Sequence, residues 1–251
     1  MINANRFGLS RDIPESVCRE VRQQSGFGCV ICAAAIIEYH HFNPPFSEAH
    51  IHSPKGITAL CPSCHTKVHS GRISSAALLD AVQHPLALQI GYSHDRLEAN
   101  GPLTVILGGL TLIDVPIVLE VAGRILLGFS RPDASGAPVG VNALFCDNAG
   151  KPIAEIVDNQ WRASSYNWDV STVGIRTVIR GSYRDVSLIF RSEPPSTIVV
   201  ESIHMFYKDL RLEGHEGSHL SAYLPNGRLW FRAANTAVIA GCAKGIVLGA
   251  T

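Results

Sequence analysis

Apolar positions near the start of the chain recur at helical spacing. Asp12-Ile-Pro-Glu15 combines an N-cap residue, an early proline and a third-position acid, which predicts a helix that starts there and continues to Gln24. A second helix is predicted to start at Ser74 or Ser75 and to end before Pro85. The first part of the chain is therefore expected to consist of short helices around the segment that separates them.

From Leu103 onward the pattern changes to short apolar runs separated by Gly, Pro and Asn, which is typical of strands and turns. Strands are predicted at Thr104–Leu107, Ile117–Val121, Arg124–Phe129, Val141–Phe145, Ile153–Val157, Arg176–Ile179, Val186–Phe190 and Thr197–Ile203. Asn226-Gly227 predicts a tight hairpin. Such a series of strands favours an antiparallel sandwich, roll or barrel. We place the boundary near residues 92–102, so the predicted fold is α+β with domains 1–100 and 101–251.

Composition limits the classes of function. The 251 residues include 21 Lys and Arg against 21 Asp and Glu, and 46% of the chain is hydrophobic. This is an ordinary globular composition, and a net charge of zero argues against binding nucleic acid through bulk positive charge. No apolar run is long enough for a membrane helix, and the N-terminal residues lack the apolar core of a signal peptide. We therefore expect a soluble, cytoplasmic protein that acts through a local site.

Cysteine and histidine are concentrated in one segment of the first part. Cys29-Val-Ile-Cys32 and Cys61-Pro-Ser-Cys64 form two Cys-x-x-Cys pairs separated by 28 residues. Each pair can place two sulfurs on one ion, so four thiolates predict a tetrahedral, structural zinc site. A redox dithiol, or thiols buried as small hydrophobic residues, are the alternatives.

Histidines lie inside and just after the inserted segment. His40 and His41 are adjacent, whereas His65 and His69 are four apart on a helix predicted to begin near Pro62. Residues four apart on a helix point the same way, so these two imidazoles are close enough to hold one ion.

The segment Gly28–His69 resembles the HNH endonuclease family, in the subset whose ββα-metal hairpin and helix are stapled by a four-cysteine zinc site. The resemblance rests on the two Cys-x-x-Cys pairs, on His40-His41-Phe42-Asn43-Pro44, and on Leu60-Cys61-x-x-Cys64-His65. It implies a ββα-metal fold for the first domain and hydrolysis of phosphodiester bonds, with DNA as the expected partner.

The resemblance also implies roles for the histidines. His41 matches the general base that activates water, and His40 and His65 match ligands of the catalytic divalent metal, which is Mg²⁺, Mn²⁺, Ni²⁺ or Zn²⁺. His69 matches an extra ligand that some members carry one helical turn later. Since four thiolates leave no open position on zinc, two distinct metals are expected.

One position departs from the family pattern. The residue five positions before the third cysteine, usually Asn, is Gly56 here. That Asn is thought to brace the loop behind the general base. His50 or His52 would compensate by bracing the loop or by touching phosphate, and the alternative for both is a solvated loop.

Contacts to nucleic acid have thinner support in the sequence. Lys55, Lys67 and Arg72 lie near the motif, and Arg19 and Arg22 share one face of the first predicted helix. These five cations are the predicted phosphate contacts. A solvated helix face is the alternative for the two arginines.

The leading hypothesis is therefore an HNH-type endonuclease. The alternatives are a zinc-stabilised nucleic-acid-binding module that has lost catalysis, suggested by Gly56, and a protein-interaction or ligand-sensing protein. The second domain does not reveal a function. Its tryptophans and tyrosines form either a ligand-binding surface or sheet core; they are Trp161, Trp168, Trp230, Tyr166 and Tyr183.

Overall fold

The computed structural model describes residues 4–130, 138–234 and 236–249, which separate into two compact units. The first unit contains the residues up to His94 together with Ser164–Thr172. The second contains Asp95–Ala163 and the residues from Val173 onward. The fold is α+β, with much more strand than helix. Among the described residues, no helix combines the length and apolar character needed to cross a membrane.

The elements up to residue 96 are mostly helical. They are α1 (Glu15–Gln24), β1 (Glu38–His41), a 3₁₀ turn (Pro54–Gly56), β2 (Ile57–Leu60), α2 (Pro62–His69), α3 (Ser75–Gln83), α4 (Leu86–Ile90) and β3 (Tyr92–Arg96). Helix α3 begins as predicted, because the Ser74 side chain accepts a hydrogen bond from the Ala77 N–H at 3.2 Å. Helix α1 begins later than predicted. Its N-cap is Pro14 and no side chain caps it, so the prediction of Asp12 as N-cap was wrong.

Strands β1 and β2 form an antiparallel hairpin that is covered on both faces. Glu38 pairs with Leu60 and His41 with Ile57. All four residues of β2 are buried. On one face Ile57 packs with Val21 of α1, and on the other Leu60 packs in the cluster that contains the cysteines. Because a lone hairpin is only marginally stable in water, this double cover fixes the strands that carry the histidines.

The rest of the chain is strand. The elements are β4 (Thr104–Leu107), β5 (Leu110–Ile113), β6 (Ile117–Val121), β7 (Arg124–Ser130), β8 (Gly140–Cys146), β9 (Pro152–Val157), β10 (Gln160–Ser164), β11 (Asp169–Val173), β12 (Arg176–Ser182), β13 (Asp185–Glu193), β14 (Thr197–Tyr207), β15 (Leu210–His215), β16 (His219–Tyr223), β17 (Leu229–Ala234), β18 (Ala237–Ala240) and β19 (Lys244–Leu248). All the predicted strands are present, and the Asn226-Gly227 turn joins β16 to β17.

Most neighbouring strands of the second unit are antiparallel, in the orders β19-β6-β7-β8-β9-β10 and β12-β13-β14-β15-β16-β17. The prediction of an antiparallel architecture was incomplete, since β4 pairs with β14, β5 with β18 and β6 with β19 in parallel. Strands β18 and β19 return from far along the chain, and alternation of apolar residues carries no information about such partners.

The aromatic residues do not share one environment. Trp161 is buried against Phe190, with ring centroids 5.6 Å apart, as expected for sheet core. Trp230, Tyr166 and Tyr183 are exposed.

Candidate metal centre

The four cysteines of the two Cys-x-x-Cys pairs meet in the first unit. Their sulfur atoms all lie within 4.8 Å of one another. The Sγ atom of Cys32 lies 3.6 Å from that of Cys61 and 3.9 Å from that of Cys64. Tetrahedral zinc with Zn–S bonds of about 2.3 Å requires sulfurs about 3.8 Å apart, whereas a disulfide requires about 2.05 Å. The cluster therefore fits one zinc ion.

Local sequence shapes both turns that carry the cysteines. A Cβ atom on Gly28 would lie 2.7 Å from the Ala33 carbonyl oxygen, so only glycine fits beside the first pair. Cys61 is the N-cap of α2, and its sulfur accepts a hydrogen bond from the Cys64 N–H at 3.4 Å. Burial raises the pKa of the Cys64 thiol to about 12. A bound cation is thus needed to keep all four thiols ionised.

A second group of candidate metal ligands lies where β1 meets α2. Side chains alternate along a strand, so Glu38 and His40 share the face of β1 that is turned toward α2. The Nε2 atom of His65 lies 3.1 Å from Nδ1 of His40 and 3.0 Å from Nε2 of His69. These three imidazoles offer ligand atoms within 4.8 Å of one another, which is close enough for one metal ion.

The donor set suits a divalent cation. Nδ1 of His65 lies 2.5 Å from a carboxylate oxygen of Glu38. Because a carboxylate only accepts, Nδ1 carries the hydrogen and the lone pair on Nε2 faces the other two rings. Burial lowers the pKa of His40 to about 4, with a further contribution from electrostatic interaction with His65 and His69. The His40 ring is therefore neutral and able to bind a metal at neutral pH.

His41 lies outside this cluster and has a different partner. Its Nε2 atom is 3.0 Å from Nδ1 of His52, whose Nε2 is 3.0 Å from the carbonyl oxygen of Ser10. The pKa of His41 is lowered, mainly by burial and then by electrostatic interaction with His52 and Arg11. His50 instead stacks on Phe7, with ring centroids 3.9 Å apart. Of the two histidines left open by the sequence, only His52 contacts His41.

Gly56 supports the loop beside His41 through its backbone. Its carbonyl oxygen accepts hydrogen bonds from the N–H groups of Phe42 at 2.9 Å and Asn43 at 3.3 Å. A Cβ atom at position 56 would overlap the Asn43 carbonyl oxygen. The loop therefore approaches too closely for any residue with a side chain.

A cleft of about 730 Å³ is lined by the His40, His65 and His69 cluster and by His41. Its lining includes His40, His41, His65, His69, Tyr39, Phe42, Phe46, Leu78 and Arg11. The guanidinium of Arg11 stacks on Phe46 with its central carbon 4.7 Å from the ring centroid, and Phe46 in turn contacts His41. The cleft thus combines four imidazoles and one arginine with apolar side chains such as Phe42 and Leu78.

The five cations predicted to contact phosphate have different surroundings. Lys55, Lys67 and Arg72 are exposed. Arg22 is 4% exposed, and its guanidinium contacts Asp169 at 2.8 Å and Glu15 at 2.7 Å. Arg19 lies over the Trp168 ring and 3.6 Å from Asp169. The two arginines therefore hold helix α1 to residues 168–169 of the same unit.

Sequence reasoning missed Arg11 and gave no role to Glu38. Both would have required knowledge of the fold, because a single arginine in an irregular segment carries no pattern and Glu38 becomes informative only once its strand faces α2.

Comparisons with protein-family models, curated proteins and solved structures find no match to this chain. Any functional assignment therefore depends on the geometry described above.

Proposed function

We propose that this protein is a metal-dependent endonuclease of the HNH type that hydrolyses phosphodiester bonds in DNA. The observation that carries the proposal is the convergence of His40, His65 and His69 in one cleft with His41 beside them. The order of a two-stranded hairpin and a helix, stapled by four cysteines, agrees with the ββα-metal arrangement expected from the resemblance.

His41 is the proposed general base. Its lowered pKa keeps the imidazole unprotonated at neutral pH, so the ring can accept a proton from an attacking water. His40, His65 and His69 would hold the divalent metal, with Glu38 orienting His65. When bound, that metal polarises the scissile phosphate and stabilises the leaving oxygen.

The remaining groups would stabilise the site or bind the DNA backbone. The four-cysteine zinc site has no open position and would fix α2 relative to β1. Arg11 is the cation that lines the cleft and would contact the phosphate. Lys55, Lys67 and Arg72 are exposed and available for backbone contacts, whereas Arg22 is excluded by its burial.

The deciding experiment incubates supercoiled plasmid with the zinc-loaded protein and Mg²⁺, Mn²⁺, Ni²⁺ or additional Zn²⁺. We expect cleavage with at least one metal and a fall in rate of about 10²–10⁴-fold in His41→Ala, the range for a lost general base. His84→Ala is the matched control, because the His84 side chain is exposed and pairs only with Asp80 among the contacts described. Equal rates for wild type and His41→Ala would refute the assignment.

Metal analysis tests the two sites separately. We expect one tightly held zinc per chain and a second, weaker site that is lost in His40→Ala and His65→Ala. A second site unaffected by these changes would contradict the assigned ligands. DNA binding without cleavage under every metal would instead favour the catalytically impaired nucleic-acid-binding module, and failure to bind DNA at low salt would favour a protein-interaction or sensing role.

A further inference from the structure

His52 is the one neighbour of His41 that links it by hydrogen bonds to a distant part of the described chain. It is partly buried, and its two ring nitrogens each have a partner at 3.0 Å: His41 on one side and the Ser10 carbonyl on the other. The three groups form a chain of hydrogen bonds from the N-terminal segment to the cleft.

The Ser10 end sets the direction of both hydrogen bonds. A carbonyl oxygen only accepts, so Nε2 of His52 carries a hydrogen. An imidazole with its single hydrogen on Nε2 has its lone pair on Nδ1, and this lone pair accepts from the Nε2–H of His41. Nδ1 of His41 is consequently the nitrogen with the free lone pair.

The Ser10 carbonyl is itself held in place. The side-chain amide of Asn5 donates to the carbonyl oxygens of Phe46 at 2.6 Å and Ala49 at 2.7 Å. The Asn5 side-chain oxygen accepts from the Leu9 N–H at 3.0 Å. These bonds clamp residues 5–10 onto the loop that leads to His52, so Ser10 is a fixed acceptor.

We propose that His52 is the positioning residue for His41: with the Ser10 carbonyl it holds the His41 ring in one orientation and leaves the lone pair on Nδ1. The inference rests on the proposed function, in which His41 accepts the proton of the attacking water. It also explains how a chain with Gly56 at the family's Asn position orients its base, since Gly56 supplies only a backbone carbonyl to the loop.

Two substitutions separate positioning from simple loop support. The side-chain oxygen of Asn can take the place of Nδ1, so His52→Asn keeps an acceptor for His41 and loses the hydrogen bond to the Ser10 carbonyl. The amide nitrogen of Gln can take the place of Nε2, so His52→Gln keeps the donor to the Ser10 carbonyl and loses the hydrogen bond from His41. We expect kcat for plasmid cleavage to fall about 10- to 100-fold in His52→Gln with KM unchanged, and to be largely retained in His52→Asn.

The reverse ranking, with His52→Gln active and His52→Asn impaired, would mean that His52 only ties the loop to the N-terminal segment and would overturn the proposal. Equal, full activity of both variants would overturn it too. Zinc content is measured in each variant, so that a rate is compared only between proteins with an intact four-cysteine site.

A spectroscopic readout is independent of cleavage. In ¹⁵N-labelled, zinc-loaded protein without DNA, we expect a hydrogen-bonded Nε2–H signal from His41 in wild type and in His52→Asn, and its loss in His52→Gln. Absence of that signal in wild type would overturn the inference even if the protein cleaves DNA. If the signal is present but no metal supports cleavage, the hydrogen bond stands and the proposed function fails.

Discussion

At the scale of single residues, the side chains that contact the candidate ligands would set how well the histidine cluster binds the proposed cation. Glu38 is half-exposed, yet its carboxylate lies 2.5 Å from His65 and fixes which nitrogen of that ring faces His40 and His69. Carboxylates behind metal-binding histidines increase the basicity of the ligand as well as orienting it.

Glu38→Gln keeps the size of the side chain and removes its charge. We expect the affinity of the second site for Ni²⁺ to fall about 10- to 100-fold, because His65 loses its anionic partner. Calorimetric titration of the zinc-loaded protein with Ni²⁺ measures the change. Glu20→Gln on the exposed side of α1 is the control, and equal affinities for both variants would show that Glu38 does not support the site.

Gly56 illustrates a residue whose identity is set by backbone contact. Because a Cβ atom there would overlap the Asn43 carbonyl oxygen, Gly56→Ala should destabilise the first unit by about 1–3 kcal/mol or more. Gly56→Asn, which introduces the residue usual at this position of the HNH motif, should be at least as harmful. Hydrogen exchange at the Phe42 and Asn43 amides measures the loss.

The control is Gly249→Ala, since an added Cβ there meets nothing within 4 Å. Unchanged protection of the two amides in both Gly56 variants would show that the loop can move away from Asn43 at little cost.

At the scale of elements, α1 is attached to the rest of its unit by a buried ion pair. Arg22 makes two hydrogen bonds to Asp169, at 2.9 and 2.8 Å, and both side chains are at most 5% exposed. A third bond reaches the Tyr39 hydroxyl at 2.8 Å on β1. The ion pair thus links the helix to the strand that carries His40 and His41.

Removing the Asp169 charge leaves the buried Arg22 guanidinium with Glu15, whose side chain is 66% exposed, as its remaining ion-pair partner. We expect Asp169→Asn to lower the free energy of unfolding of the first unit by about 3–5 kcal/mol, as measured by urea denaturation. Asp80→Asn, at an exposed pair with His84, should change it by about 0.5 kcal/mol or less. A loss below about 1 kcal/mol in Asp169→Asn would show that water reaches Arg22.

Elements with a local pattern could be predicted, and partners distant in sequence could not. The spacing of His65 and His69 and the Cys-x-x-Cys pairs describe turns and a helix directly, and the structure brings each set together. Asp169 lies 147 residues from Arg22, and no pattern in either segment indicates the other. His52 belongs to an irregular loop, where periodicity does not tell which way a side chain points.

At the scale of the whole molecule, zero net charge limits how the proposed DNA substrate would be held. With Arg22 buried and Arg19 stacked on Trp168, the cations left for phosphate in the first unit's proposed site are Arg11, Lys55, Lys67 and Arg72. Binding should therefore be modest and should depend on few ionic contacts.

Four phosphate contacts predict a slope of about −3.6 for log K against log salt, which is a loss of roughly 150-fold between 50 and 200 mM. Fluorescence anisotropy with a labelled duplex and the His41→Ala protein measures this without cleavage. Lys55→Ala should make the slope shallower by about 1. A slope steeper than about −7 would place many further contacts outside this set.

The discontinuity of the first unit has a consequence for the newly made chain. Arg22 is translated 147 residues before Asp169, so a growing polypeptide carries the arginine without its buried ion-pair partner for roughly 7 to 30 s at ordinary rates of synthesis. Helix α1 reaches its final anchorage only after more than half of the protein has left the ribosome. A fragment that stops at residue 100 lacks Asp169 altogether, so we expect its histidine cleft to be less stable than that of the full first unit.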